Sequence, residues 1–190
     1  MDLLGTIFDL VINVVALLLG LRFMMQLTGA DPYNPFVMAT YRVTPVVDMF
    51  HRILPPIGQG RVSLAAIMLL FLLKLIELWG HAYMAGAHLA AGPMLVAAVI
   101  GLLMAFLSFC KILIFASIIL SWVLMATHNP TPVIVLVQQM TEPLFAPFRR
   151  ILPDLGPIDL SPILAFLAIK VAEIMLGYAG ATLLQLVGGL

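Results

Sequence analysis

Four long apolar stretches alternate along the chain with shorter segments broken by proline, glycine and charge, at residues 3–25, 62–83, within 93–126, and 160–187. Each reaches the roughly 20 apolar residues that a helix needs to cross a bilayer. The pattern predicts an all-α membrane protein with four transmembrane helices. The third stretch exceeds one crossing, yet no turn signal or charge cluster divides it after Pro93, and Lys111 stands alone within it. One long helix is expected there, with residues 93–100 extending toward the loop at 80–92.

The segments between the stretches are too apolar for solvated linkers. Asn34-Pro35 and Asn129-Pro130 each place a capping side chain before a proline, which suits helix entry because proline lacks the amide hydrogen left unsatisfied there. A short helix should follow each pair. Thr44-Pro45 can restart a second turn, and Ser63 and Ser161-Pro162 are expected to cap the second and fourth spans. Phe36, Tyr41, Val46, Phe50 and Ile53 are mixed with Arg42, Asp48, His51 and Arg52, an interfacial composition. Such a surface buries apolar groups at the headgroup boundary while each basic residue near an anionic leaflet adds about 1 kcal/mol.

A phrase also repeats. FHRILPPIGQGRVS at 50–63 returns as FRRILPDLGPIDLS at 148–161, each time just before an apolar stretch, and Pro45 is answered by Pro143. The chain reads as a tandem duplication, 1–85 and 86–190, with interfacial loops at 26–61 and 127–159. Ile-Leu-Pro should end a helical turn, since proline disfavours helical geometry in the residue before it. Pro55 and Gly58 in one copy, Pro153 and Gly156 in the other, then shape the loop. Two spans per repeat preserve orientation, so the expected fold is two parallel hairpin repeats related by a pseudo-twofold along the membrane normal, with short interfacial helices in the loops.

Composition agrees with the pattern: 63% of residues are hydrophobic and 9% charged, against about 25% charged in soluble domains. Arg42, Arg52 and Arg61 lie in the first repeat loop and Arg149 and Arg150 in the second, whereas the extreme termini and the 80–92 loop carry no Lys or Arg. The positive-inside rule places the repeat loops in the cytoplasm and both termini away from it. The first stretch begins with Asp2 in place of a basic region and is longer than a signal-peptide core, so it is read as a retained helix. The single Cys110 offers no disulfide or metal spacing and reads as a small buried hydrophobe. A net charge of zero implies no nucleic-acid partner.

Charged residues inside the spans are the clues within the membrane, because ionisable groups there face protein or water. Lys74 and Glu77, and Lys170 and Glu173, each lie three apart on one helical face. Lys111 falls near the middle of the third span, and the repeat places Asn13 at the matching position in the first, with Asp9 nearby. These residues can form one polar layer across four helices. It is read as a structural network docking the two halves, with an ion or proton route and pairing with another membrane protein as the other readings. His81 and His88, seven apart in the outer loop, lack the carboxylates or cysteines of a metal site, and no catalytic or nucleotide-binding motif occurs. No enzyme activity and no cofactor are predicted.

The run Phe-Arg-Arg-Ile-Leu-Pro-x-x-Gly-x-Ile-Asp-x-Ser-Pro, with Asn-Pro near the loop start, resembles the YggT family, called YlmG in Gram-positive bacteria and plastids. Residues 129–162 carry that pattern closely, and the length and two-copy layout match across nearly the whole chain; the first copy departs at His51 and across 59–64. The resemblance implies a small bacterial inner-membrane protein whose relatives are connected with osmotic-stress tolerance, with cell or plastid division and nucleoid distribution, and with cytochrome assembly. The resulting expectation is a noncatalytic inner-membrane scaffold or assembly factor. Its loop arginines Arg42, Arg52, Arg149 and Arg150 would organise membrane lipid or recruit a membrane or cytoplasmic protein. The alternative is an ion channel or transporter linked to osmotic stress, using the charged layer, in a homo-oligomer because four helices are few for a monomeric transporter.

Overall fold

The computed structural model of the protein describes residues 3–87, 90–152 and 159–188. Among these, all regular structure is helical apart from one isolated antiparallel bridge between Ile57 and Val62. In chain order the helices are α1 (Leu3–Thr28), α2 (Pro35–Val43), α3 (Pro45–His51), α4 (Leu64–Met84), α5 (Ala91–Thr127), α6 (Pro132–Arg149) and α7 (Ser161–Gly188). Helices α1, α4, α5 and α7 are long and apolar enough to cross a membrane, and their bounds follow the four apolar stretches within a few residues. The chain is a multi-pass membrane protein.

Helix α5 is continuous for 37 residues, or about 55 Å at 1.5 Å per residue. Pro93 lies in its first turn, where a proline removes no intrahelical hydrogen bond. Gly80 and Gly92 belong to α4 and α5, so the outer connection is shorter than the expected 80–92 loop.

The caps divide between those the sequence marks and those it does not. The Asn34 side chain accepts from the Phe36 amide, and the Ser63 hydroxyl accepts from that of Ala66, as expected. Asn129 does not cap α6. Helix α5 ends on left-handed His128, which leaves Asn129-Pro130 in the connection, and Thr131 accepts from the Ile134 amide while Pro132 opens the helix. Ser161 does not cap α7 either; it is the first helical residue, and its amide donates to Asp159 Oδ1 at 2.8 Å. Thr44 leaves helical geometry and separates α2 from α3, whereas α6 runs on through Pro143 and Pro147.

Both Ile-Leu-Pro segments end a helix in the same way. Phe50 carbonyl accepts from the amides of Ile53 and Leu54, and Phe148 carbonyl from those of Ile151 and Leu152, all at 2.9–3.0 Å. After Pro55, Gly58, Gln59 and Gly60 all take positive φ, a tight reversal that closes the Ile57–Val62 bridge. Pro153 and Gly156 lie outside the described residues.

The main pairings of the long helices run α1 on α4, α4 on α5, and α5 on α7. Their interior is small because much of each span faces outward. The main core lies near the loop ends, where Met24 and Met25 of α1, Val37 of α2, Cys110 and Leu113 of α5, and Leu136 and Met140 of α6 are all buried. Helix α6 thus crosses under both hairpins. Two smaller clusters hold each loop to its own hairpin: Leu19, Val47, Ala65 and Ala66 in one, Ile114, Phe145 and Ala165 in the other.

Glycine sets the closest approaches between spans. A Cβ on Gly80 would sit 2.5 Å from Phe8 Cζ, and one on Gly101 would sit 2.7 Å from Lys74 Cε. Gly80→Val is therefore expected to separate α1 from α4 and to cost about 1–3 kcal/mol through overpacking. Thermal unfolding in detergent should show a lower midpoint, with Gly20→Val, where no atom lies within 4 Å of the added carbon, as the control.

Candidate functional site

The candidate site is the face built by the two loops, and it rests on a buried cation. Arg22, in the last two turns of α1, is 1% exposed and pairs through Nη2 with Asp48 of α3. Its guanidinium carbon lies 3.4 Å from the Tyr41 ring centroid, so α2 covers the same group by cation–π contact. One turn on, Gln26 Nε2 donates to the Gly60 carbonyl at 2.8 Å. Arg22 and Gln26 therefore tie α2, α3 and the 57–62 turn to the end of one apolar span. From Asp48 the network continues through His51, 3.8 Å away, to the Ser63 hydroxyl at 2.8 Å from His51 Nε2.

The second loop is held differently. Arg149 donates to Glu142 Oε2 at 2.6 Å and to Asp159 Oδ2 at 2.9 Å, joining the end of α6 to the start of α7. Burial alone would lower the Arg149 pKa, but its hydrogen bonds and the two carboxylate charges hold it above the ordinary value. Burial likewise pushes the Asp159 carboxyl up, and the Ser161 and Arg149 hydrogen bonds together with the Arg149 charge outweigh that and leave it below its ordinary value. Across the loops, Asn34 Nδ2 donates to the Pro132 carbonyl at 2.7 Å and the Asp31 amide to Gln139 Oε1 at 3.1 Å. The two loops form one surface.

Of the arginines expected to dock a partner, Arg42, Arg52 and Arg150 are exposed, and their side chains make no hydrogen bond or ion pair among the described residues. Arg149 is already engaged as a latch. Exposed Tyr33, Met49, Ile53 and Ile151 accompany the free arginines on the loops.

The intramembrane residues do not form one layer. In the first hairpin, Lys74 pairs with Glu77 at 2.6 Å and Asp9 with His81 at 2.6 Å, His81 being in α4 and not in a loop. In the second, Glu173 collects Lys111 at 2.6 Å, Ser108 at 3.2 Å and Lys170 at 3.5 Å. Asn13 is exposed and joins neither set among the described residues. Lys74 stands eleven residues after Ser63 but Lys170 only nine after Ser161. At about 100° per residue, that difference of two turns the two pairs about 200° apart relative to these two serines. One pair consequently closes on itself, while Glu173 faces α5.

The model of the CCB3/YggT family matches two segments that together cover most of the chain, residues 1–83 and 96–179. The chain belongs to the CCB3/YggT family. An uncharacterized protein of Pseudomonas aeruginosa is 39% identical over 168 residues, covering 86% of this chain and 82% of that protein. The uncharacterized protein of the proC 3′ region of Vibrio alginolyticus is 33% identical, covering 92% and 91%, and the YggT protein of Escherichia coli K12 is 32% identical, covering 90% and 87%. No solved structure matches the chain.

In this CCB3/YggT protein Arg22 is the residue that reading along the chain overlooks, because it sits at the end of an apolar run like an ordinary topology-setting cation. One signal was available: 98 residues on, as Phe148 is from Phe50, the second copy has Leu120. Asp48→Asn is expected to destabilise the protein by about 1–3 kcal/mol, because it weakens the pairing of a buried guanidinium. Arg22→Met with Asp48→Asn should lose less than the two single changes combined, as measured by a double-mutant cycle of detergent unfolding.

Asp159 generates a pH prediction. Its folded-state pKa is depressed, so its stabilisation is present above the unfolded-state value and is lost as pH falls through the folded one. Hydrogen exchange at the α6–α7 junction should rise selectively below about pH 4, and Asp159→Asn should remove that pH dependence.

Proposed function

We propose that this protein is a noncatalytic scaffold or assembly factor of the bacterial inner membrane, in which the joined loops engage anionic lipid and hold a protein partner at the membrane surface. The observation that carries the reading is a division of labour among the arginines. Arg22 and Arg149 hold the loops in shape, and Arg42, Arg52 and Arg150 stay exposed beside apolar side chains. A rigid surface that presents basic and apolar groups together suits an anionic leaflet, since each contributes without first being ordered.

In this reading the loops face the cytoplasm, following the positive-inside rule, and both termini face away. The hairpins α1–α4 and α5–α7 are parallel repeats about a pseudo-twofold, with the boundary near residue 85; two separate family-model matches support that arrangement. The geometry favours a scaffold over an ion route because the intramembrane charges are divided between separate sets of ion pairs. A link to osmotic stress is a proposal on the same footing as the scaffold.

The combined charge reversal Arg42→Glu, Arg52→Glu and Arg150→Glu tests the reading. Inserted at normal abundance, the variant should lose the anionic lipid retained on purification and the protein crosslinked to wild type in native membranes. Unchanged lipid and unchanged captured proteins would overturn the scaffold reading. Ion flux through reconstituted wild-type vesicles that is abolished by Lys111→Met would support the transport reading in its place.

A further inference from the structure

The pair α5–α7 carries more positive charge than it neutralises. Lys111 is the one charged residue of α5, and α7 holds Lys170 and Glu173. Glu173 takes Lys111 at 2.6 Å and the Ser108 hydroxyl at 3.2 Å. Lys170, 3.5 Å from the same carboxylate, is left with its side chain 55% exposed. On α4 the balance is even, Lys74 closing on Glu77 at 2.6 Å. A surplus cation on a membrane span is disfavoured until a counter-charge reaches it.

The surplus faces a furrow between α4 and α7. Ser108 and Ser117 stand nine residues apart on α5, half a turn in projection at about 100° per residue, and Ser117 meets Thr141 of α6. The Glu173 set therefore lies on the side of α5 away from α6. Gly101, seven residues before Ser108 and on nearly the same side, is where Lys74 of α4 approaches α5. Helices α4 and α7 both pack on α5, whereas neither packs closely along the other.

Contacts between elements set the level of Lys170. Ser63, which caps α4, is linked through His51 and Asp48 to Arg22. The next residue of α1, Phe23, meets Phe106 of α5 edge-on at 6.0 Å, and Met24 and Met25 share a core with Cys110 and Leu113. The loop end of α4, with exposed Arg61 just before it, thus stands level with residues 106–113 of α5, where Lys111 and Lys170 meet Glu173. Helix α7 begins nine residues before Lys170, about 13 Å farther toward the loops. Beside the first hairpin, Lys170 is at the depth of a lipid headgroup.

We propose that this furrow holds an anionic phospholipid, its phosphate accepting hydrogen bonds from Lys170 Nζ and its acyl chains running over exposed Ala105 of α5 and Ile174 of α7. Lysine binds phosphate as a point charge. The surplus of one selects an anionic headgroup, because one phosphate diester supplies the missing negative charge and a choline or ethanolamine would return a positive one. The site involves none of the loop arginines and does not rest on the scaffold reading.

Photolabelling of the full chain tests it. The protein is reconstituted in phosphatidylcholine vesicles containing a small share of phosphatidylglycerol with a diazirine on its acyl chain, and the labelled peptides are mapped. Label should fall around Ala105 and Ile174, and excess unlabelled phosphatidylglycerol should suppress it where phosphatidylcholine does not. Lys170→Met should lower the label about fivefold, the loss of one basic contact, and Lys170→Arg should keep it. Wild type without label at this seam, equal competition by phosphatidylcholine, or undiminished label in Lys170→Met overturns the proposal. The competition between the two lipids in wild type decides the matter by itself if Lys170→Met fails to fold. The loop variant Arg42→Glu, Arg52→Glu, Arg150→Glu should keep this label while losing loop-bound lipid, so failure of either reading is visible separately.

Discussion

A guanidinium removed from water must be paired, and in this protein that requirement shapes the membrane-surface face. Arg22 sits inside the end of α1 with Asp48 on one side and the Tyr41 ring on another. Satisfying it draws two short helices against the span, and Gln26 adds the turn that leads into α4. Burying an ion in this way is weak evidence for stability in itself. Its consequence here is shape: a loop of apolar and basic residues is held against the end of α1.

The second loop reaches a comparable state by another route. Arg149, where the first copy has His51, joins α6 to Asp159, and the long α6 carries Met140 and Phe145 into the cores between helices. Bonds from Asn34 and Asp31 then fasten one loop to the other. The basic residues left outward belong to a surface fastened by these contacts, which is the physical basis of the binding role proposed for it.

Inside the membrane, helix faces are governed by small offsets. The two Lys-x-x-Glu pairs look alike, yet their different spacing from Ser63 and Ser161 sends one back on itself and the other to Lys111. Lipid tails are as apolar as leucine, so no hydrophobic drive gathers the spans into a closed bundle. Close glycine contacts and a few ion pairs hold the neighbouring spans, and polar groups outside those contacts remain at the edges.

The amino-acid sequence by itself determined the four spans, the unbroken third helix, the helix-ending Ile-Leu-Pro segments and the caps at Asn34 and Ser63, because each depends on local composition and backbone chemistry. It also marked the loop arginines, but not which of them are engaged. The failure of Asn129 and Ser161 as caps, the pairing of Asp9 with His81 and the burial of Arg22 were decided by the tertiary structure. Each depends on where another helix ends or which face it turns, and a rotation of 100° per residue makes that undecidable from the spacing of charges alone.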